Sequence, residues 1–281
     1  MPAFETPEPI TATIEVVAAD VRIAARDRTD TVVEVRPSDP SHEPDVRAAE
    51  QTRVEMTADG LLVKAPKQRG LSMFARPGSI DVTVDLPTGS RLRADAGIGI
   101  VRSTGRLAEC QAKTGAGEID LESTGPVHLT TGAGSISVGV VSGSADITSG
   151  SGRVRLTEID GPAVVRNSNG ETWIGAVTGS LEVSASNGGI SVDRAEGDVT
   201  AKTANGSLRV GRVSRGMTMV KTSMGEIEVG IAAGTAARVD AQTRLGSVRN
   251  RLAATDSPEP ADETAAVHAR TSFGDIVIRR A

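Results

Sequence analysis

TGAGEIDLESTGPVHLTTGAGSISV, residues 114–138, decides the fold. Its first and last eight residues share one pattern: polar, any, small, Gly, any, apolar, any, apolar. Between them, Gly125 opens a second alternating run, Val127-His128-Leu129. Alternation of apolar and polar residues is the mark of a strand with one buried face. A glycine ahead of each run marks a turn that needs a positive φ or has no room for a Cβ.

The pattern returns outward from this stretch as SGSGRVRL (149–156), NSNGETWI (167–174), ASNGGISV (185–192), TANGSLRV (203–210), TSMGEIEV (222–229) and TSFGDIVI (271–278). The anchor glycines are Gly117, Gly134, Gly152, Gly170, Gly188, Gly206, Gly225 and Gly274, with Gly99 and Gly246 as weaker members. From Gly99 to Gly225 the spacings are 18, 17, 18, 18, 18, 18 and 19, and an insertion then stretches them to 21 and 28. A second glycine follows most anchors, at Gly125, Gly143, Gly161, Gly179 and Gly197. A fixed period of this length is the signature of a solenoid. The expected fold is all-β: a single-stranded parallel β-solenoid, or β-helix, of about 18 residues per coil with two short strands in each.

Four aliphatic columns then point inward, for example Ile119, Ile136, Val154, Ile190 and Leu208, or Leu129, Ile147, Val165 and Val183. The positions between them are polar. In chain order Arg209, Glu228 and Arg249 stack as alternating charges. Thr114, Thr131, Ser149, Asn167, Thr203, Thr222 and Thr271 lie three residues before their anchors and suit hydrogen bonding at the turn. Handedness, and two against three faces per coil, stay open, with right-handed coils favoured by the general rule for parallel crossovers.

Residues 1–96 alternate in strand fashion outside the repeat, with Asp59-Gly60 as a hairpin signal and 39–50 as a surface loop with one helical turn. They are expected to form an antiparallel β cap on the first coil, because a solenoid end exposes an edge and a core. Residues 97–250 are the regular coils, and 251–281 an acidic insert followed by a final strand.

The chain has three Phe, one Trp and no Tyr among 281 residues, which favours a thin aliphatic core. The net charge of −5 and the lack of a basic stripe argue against nucleic-acid binding. The single cysteine, Cys110, allows no internal disulfide and reads as a small buried hydrophobe. His42, His128 and His268 have no metal-ligand spacing, and neither a phosphate loop nor a nucleophile elbow is present. Carboxylates sit on single strands (Glu118 with Asp120, Glu226 with Glu228) without a recurring column, so a carbohydrate-active β-helix enzyme is the weakest reading. No catalytic, cofactor or metal residue is assigned.

A possible interaction surface comes from the run 67–78, where Arg69 and Arg76, with Lys67, flank Leu71, Met73 and Phe74; a membrane surface or a partner would suit it. Trp173, at an outward position, joins that set. Before the later anchors stand Met224, Leu245 and Phe273, in place of Ala, Ser or Asn, which implies apolar packing there by the insert or a second subunit. The expected partner is an unidentified protein, with homo-oligomerisation through the C-terminal coil end as a further route. Neither a secretory signal nor an apolar run of membrane-spanning length is seen, so a cytoplasmic protein is expected, with envelope association as the alternative.

The repeats, with PEPITATIEV (7–16), ADVRI (19–23), DRTDTVVEVRPSD (27–39) and DVTVDLPTGS (81–90), resemble the bacterial "putative adhesin" domain-of-unknown-function family of β-strand-repeat proteins. The resemblance covers nearly the whole chain. It implies a β-solenoid without catalytic residues and a role in surface adhesion. The reading preferred here is a non-enzymatic interaction or scaffold protein, with an envelope-associated, adhesin-like module as the rival.

Overall fold

The computed structural model describes residues 2–66, 78–252 and 263–281. Two compact units divide the chain, Met1–Gly139 and Val140–Ala281.

In the first unit the strand Thr11–Arg26 already belongs to the parallel stack. It runs in register with Arg91–Leu107, from Thr11 opposite Arg91 to Ala24 opposite Thr104. Arg91–Leu107 pairs in parallel with Glu109–Thr124, and that strand with Val127–Ala133. The other edge of Thr11–Arg26 is taken by Gly60–Lys64 and then by Ile80–Pro87, both parallel. Antiparallel pairing occurs outside this stack. It joins Ala3–Glu5 to Asp30–Pro37, Asp30–Pro37 to Ile80–Pro87, and Arg53–Thr57 to Gly60–Lys64 across the Asp59-Gly60 turn. Thus the edge of the first coil is covered, as a solenoid end requires.

The stretch 39–50, expected to hold one helical turn, gives way to a longer helix, Glu43–Gln51. Pro44 suits its first turn, and Glu43 and Asp45 favour its positive N-terminal end. Asp45 is buried, and its carboxylate accepts hydrogen bonds from Ser79 N (2.9 Å), Asp39 N (3.2 Å) and His42 Nδ1 (2.7 Å). Burial alone would raise its pKa; these donors outweigh it and hold the carboxyl below the usual range.

The second unit is built from two parallel ladders, so each coil has two strand faces. One runs Ala145–Ser151, Ala163–Asn169, Leu181–Asn187, Val199–Lys202, Gly216–Lys221. The other runs Val154–Asp160, Thr172–Val177, Ile190–Ala195, Leu208–Val213, Ile227–Ile231. The inward columns are buried as the alternation requires, among them Ile147, Val165, Val183, Ile174, Val192 and Val210.

One expectation fails at the end of this unit. The coils do not stack in chain order. Glu263–Phe273 pairs with Gly216–Lys221 on one side and Thr235–Leu245 on the other. Likewise Ile276–Arg280 lies between Ile227–Ile231 and Val248–Asn250. Glu228 therefore faces Val277, and Arg249 is one rung further out, not beside it. Glu228 takes Arg279 instead, at 2.6 Å, along with Arg209 at 3.9 Å. The reason is core quality. The last segment brings Val267, Ala269, Ile276 and Ile278, all fully buried, whereas the coil it displaces offers Val239, Ala241, Val248 and Asn250 at the equivalent positions. The more apolar segment takes the inner place.

The anchor glycines stack directly on one another. A Cβ on Gly206 would lie 2.1 Å from the Gly188 carbonyl oxygen, and one on Gly274 2.1 Å from that of Gly225. The residue three before the anchor reaches the same column of carbonyls. Thr203 Oγ1 donates to Gly188 O (3.2 Å), Thr222 Oγ1 to Gly206 O (3.0 Å), and Thr271 Oγ1 to Gly225 O (3.1 Å).

Candidate functional site

Lys67, Arg69, Leu71, Met73, Phe74 and Arg76 lie outside the described residues. Trp173 is half-buried on the outward side of Thr172–Val177, with the Arg155 guanidinium 4.1 Å above its ring. Arg155 is its neighbour in register, so the indole face is covered by a cation from the adjacent rung.

Cys110 is fully buried, and burial, helped by the nearby Glu109 charge, pushes its thiol up to about 12. A thiol so disfavoured as thiolate is no nucleophile. The histidines stay apart: His42 contacts Asp45, and His268 Nδ1 lies 3.4 Å from Asp240. His128 lines a groove of about 290 Å³ in the first unit with Glu15, Arg93, Asp95 and Lys113, charges of both signs. Among the described residues no group of three or more His, Cys, Asp or Glu could hold a metal ion. No described helix is long and apolar enough to cross a membrane.

What the second unit does concentrate lies on its last coils. The position before the anchor carries an asparagine ladder, in which Asn205 Nδ2 donates to Asn187 Oδ1 (2.8 Å) and Asn187 Nδ2 to Asn169 Oδ1 (2.9 Å). Past Asn205 the column turns apolar: Met224, then Phe273, then Leu245. These three are 53%, 53% and 64% exposed. The sequence marked all three residues; the fold puts them on adjacent rungs in an order the chain does not follow.

The outermost strand, Thr235–Leu245, pairs on one side only among the described residues. Its inward side chains Val239 and Ala241 are half-buried, where their neighbours Val267 and Ala269 are fully buried. Val248, on the same coil, is 44% exposed. An open β edge and a half-covered core therefore coincide. On its outward face Arg238 and Asp240 alternate, and Arg244 follows. Hydrogen bonds from His268 and Gln242, with the Arg270 charge 3.6 Å away, hold the Asp240 carboxyl below its ordinary range against a smaller desolvation effect.

A second feature escaped the sequence. Lys202, Lys221 and Arg270 stand on successive rungs of one outward column. Each stands four residues before its anchor glycine, Lys202 and Lys221 on consecutive coils, and Arg270 joins them because its strand is intercalated. Depressions of about 510 Å³ and about 350 Å³ flank this column. Met217, Met219 and His268 line the larger; Arg244, Gln242 and Ser272 line the smaller.

The Toastrack DUF4097 family model matches residues 11–279. Comparison with curated proteins finds no match. Among solved structures, the chain is similar to a "putative cell adhesion protein" from Clostridium sporogenes ATCC 15579. Identity there is 10% and the TM-score 0.24, over 100% of this chain and 98% of that one. It is also similar to a "putative adhesin" from Bacteroides fragilis NCTC 9343, with 9% identity and TM-score 0.29, over 100% and 95% of the two chains. Similarity at that level carries no functional argument.

Proposed function

The chain belongs to the Toastrack DUF4097 family, and from that premise we propose that it is a non-catalytic interaction module whose C-terminal coil edge joins a second copy of itself. The observation that carries this reading is that, among the described residues, Thr235–Leu245 pairs on one side only, beside a half-covered core. An edge of that kind is a template for another strand, because its free N–H and C=O groups pair with any backbone in reach. Every copy offers the same edge, so the simplest closed assembly is a two-fold dimer. The edge's own charges fit that symmetry. In an antiparallel pair centred on Val239, Arg238 of each chain stands opposite Asp240 of the other, and such cross-strand pairs are favourable. Val239 would then be covered by Val239 of the second copy, and Ala241 by its Ala237.

Sedimentation equilibrium of the full chain tests this. The expected result is a reversible dimer, weakened by Arg238→Asp and restored by the exchange Arg238→Asp with Asp240→Arg. A monomer at every attainable concentration, or a dimer indifferent to both variants, contradicts it.

The envelope-facing alternative rests on the basic and apolar run 67–78 of the sequence. It expects the chain to co-sediment with anionic liposomes and Phe74→Asp to weaken that binding; co-sedimentation unchanged by this substitution removes the membrane version.

A further inference from the structure

We propose that the column Lys202–Lys221–Arg270, with Arg244 and Ser272 beside it, is a binding site for a phosphate-type oxyanion. The inference rests on a different observation from the dimer reading, although Asp240, Gln242 and Arg244 belong to the same edge strand.

Paired residues on neighbouring strands stand about 4.8 Å apart, and like charges placed directly opposite destabilise a sheet. Elsewhere in this unit several charged side chains answer one another, although Arg194 and Arg212 also stand in register as a like-charged pair. Arg166 lies 3.2 Å from Asp146, Arg249 3.3 Å from Asp275, and Glu228 sits between Arg209 and Arg279. In the column Lys202–Lys221–Arg270 no carboxylate is interposed. One acid is close: Asp240, 3.6 Å from Arg270, which also accepts from Gln242 Nε2 at 3.1 Å. It holds one guanidinium in place, and among the described residues neither lysine has a counter-charge on its own rung.

The smaller depression is lined by Lys221, Arg244 and Arg270 together with hydroxyl and amide side chains, Ser272 and Gln242 among them, and among the described residues by no carboxylate. Three cations and a hydroxyl donor around one polar hollow form an oxyanion site, since charge-assisted hydrogen bonds from Lys and Arg are the strong ones. The larger depression shares Lys221 and Arg270 and adds the exposed Met217 and Met219. A phosphate ester with an apolar portion would place its charge in the first hollow and its carbon chain along the methionines. Both a phospholipid headgroup and a free phosphate carry the recognised group.

The test titrates inorganic phosphate into the isotope-labelled full chain at constant ionic strength, reading amide shifts. In parallel, the chain is sedimented with phosphatidylcholine vesicles with and without phosphatidylglycerol. Saturable shifts centred on Lys221, Arg244 and Arg270–Ser272 are expected. The exposed pair Lys221→Gln with Arg270→Gln should weaken binding about tenfold or more, while Arg153→Gln, a cation on another face, should leave it unchanged. Vesicle binding lost in the same double variant identifies the lipid as the source; phosphate binding alone identifies a soluble ligand. Absence of both, or equal binding by the double variant, overturns the proposal.

Discussion

Gly206 and Gly234 both hold a positive φ, +149° and +76°, yet they would meet an added methyl group differently. At Gly234 nothing lies within 4 Å of the new atom. Gly234→Ala should therefore cost only the left-handed backbone, about 1–2 kcal/mol. At Gly206 the methyl would strike the Gly188 carbonyl oxygen at 2.1 Å, which Thr203 also contacts. Backbone strain there costs about 1–3 kcal/mol before the clash is added, so Gly206→Ala should lower the urea midpoint of the second unit clearly more than Gly234→Ala. Equal midpoints would contradict the stacked-glycine column. Asp45 gives the matching test in the first unit. Its folded pKa is depressed from 3.8, so its contribution is fully present above that value and is lost as pH falls through the folded pKa. Asp45→Ala leaves the Ser79 and Asp39 amides without their acceptor and should cost roughly 1–3 kcal/mol at neutral pH. The difference from wild type should shrink below about pH 3.8, as the wild-type carboxylate protonates. A difference independent of pH would contradict the role of the charge.

At the scale of the element, the glycine spacing and the two-residue alternation made nearly every coil legible. Thr222, Gly225, Ile227 and Val229 fall where the repeat puts them, because a period of about 18 leaves few choices for which side chain turns inward. Stacking order was not legible. Periodicity says that two coils can stack, not which coil lies next to which, and a long insert frees the last segment from chain order. The consequence can be checked at two positions that the repeat treats as equivalent. Val248 and Ile276 both follow their anchors by two residues, but Val248 is 44% exposed and Ile276 fully buried. Ile276→Ala should cost about 2–5 kcal/mol. Val248→Ala should stay within about 0.5 kcal/mol, as surface changes do. A sequential stack would reverse the ranking, and chemical denaturation of the two variants reads it directly.

For the whole molecule, composition indicated a thin aliphatic core and argued against a nucleic-acid partner, and the family match is with a domain whose function is unknown. The surface was only partly legible. Met224, Leu245 and Phe273 stood out because each breaks the small-residue rule of its own position, whereas Lys202, Lys221 and Arg270 look like ordinary solvated charges until the fold aligns them. The open edge at Thr235–Leu245 was invisible as well, since the terminal coil is set by the same intercalation. Hydrogen exchange of the backbone amides in Thr235–Leu245, followed as protein concentration rises, bears most directly on the edge as the contact surface. Pairing with a second copy requires exchange at the outward-facing amides of this strand to slow with concentration while the inner coils stay unchanged. Exchange that is fast at every concentration, or protection gained on another strand, would contradict it.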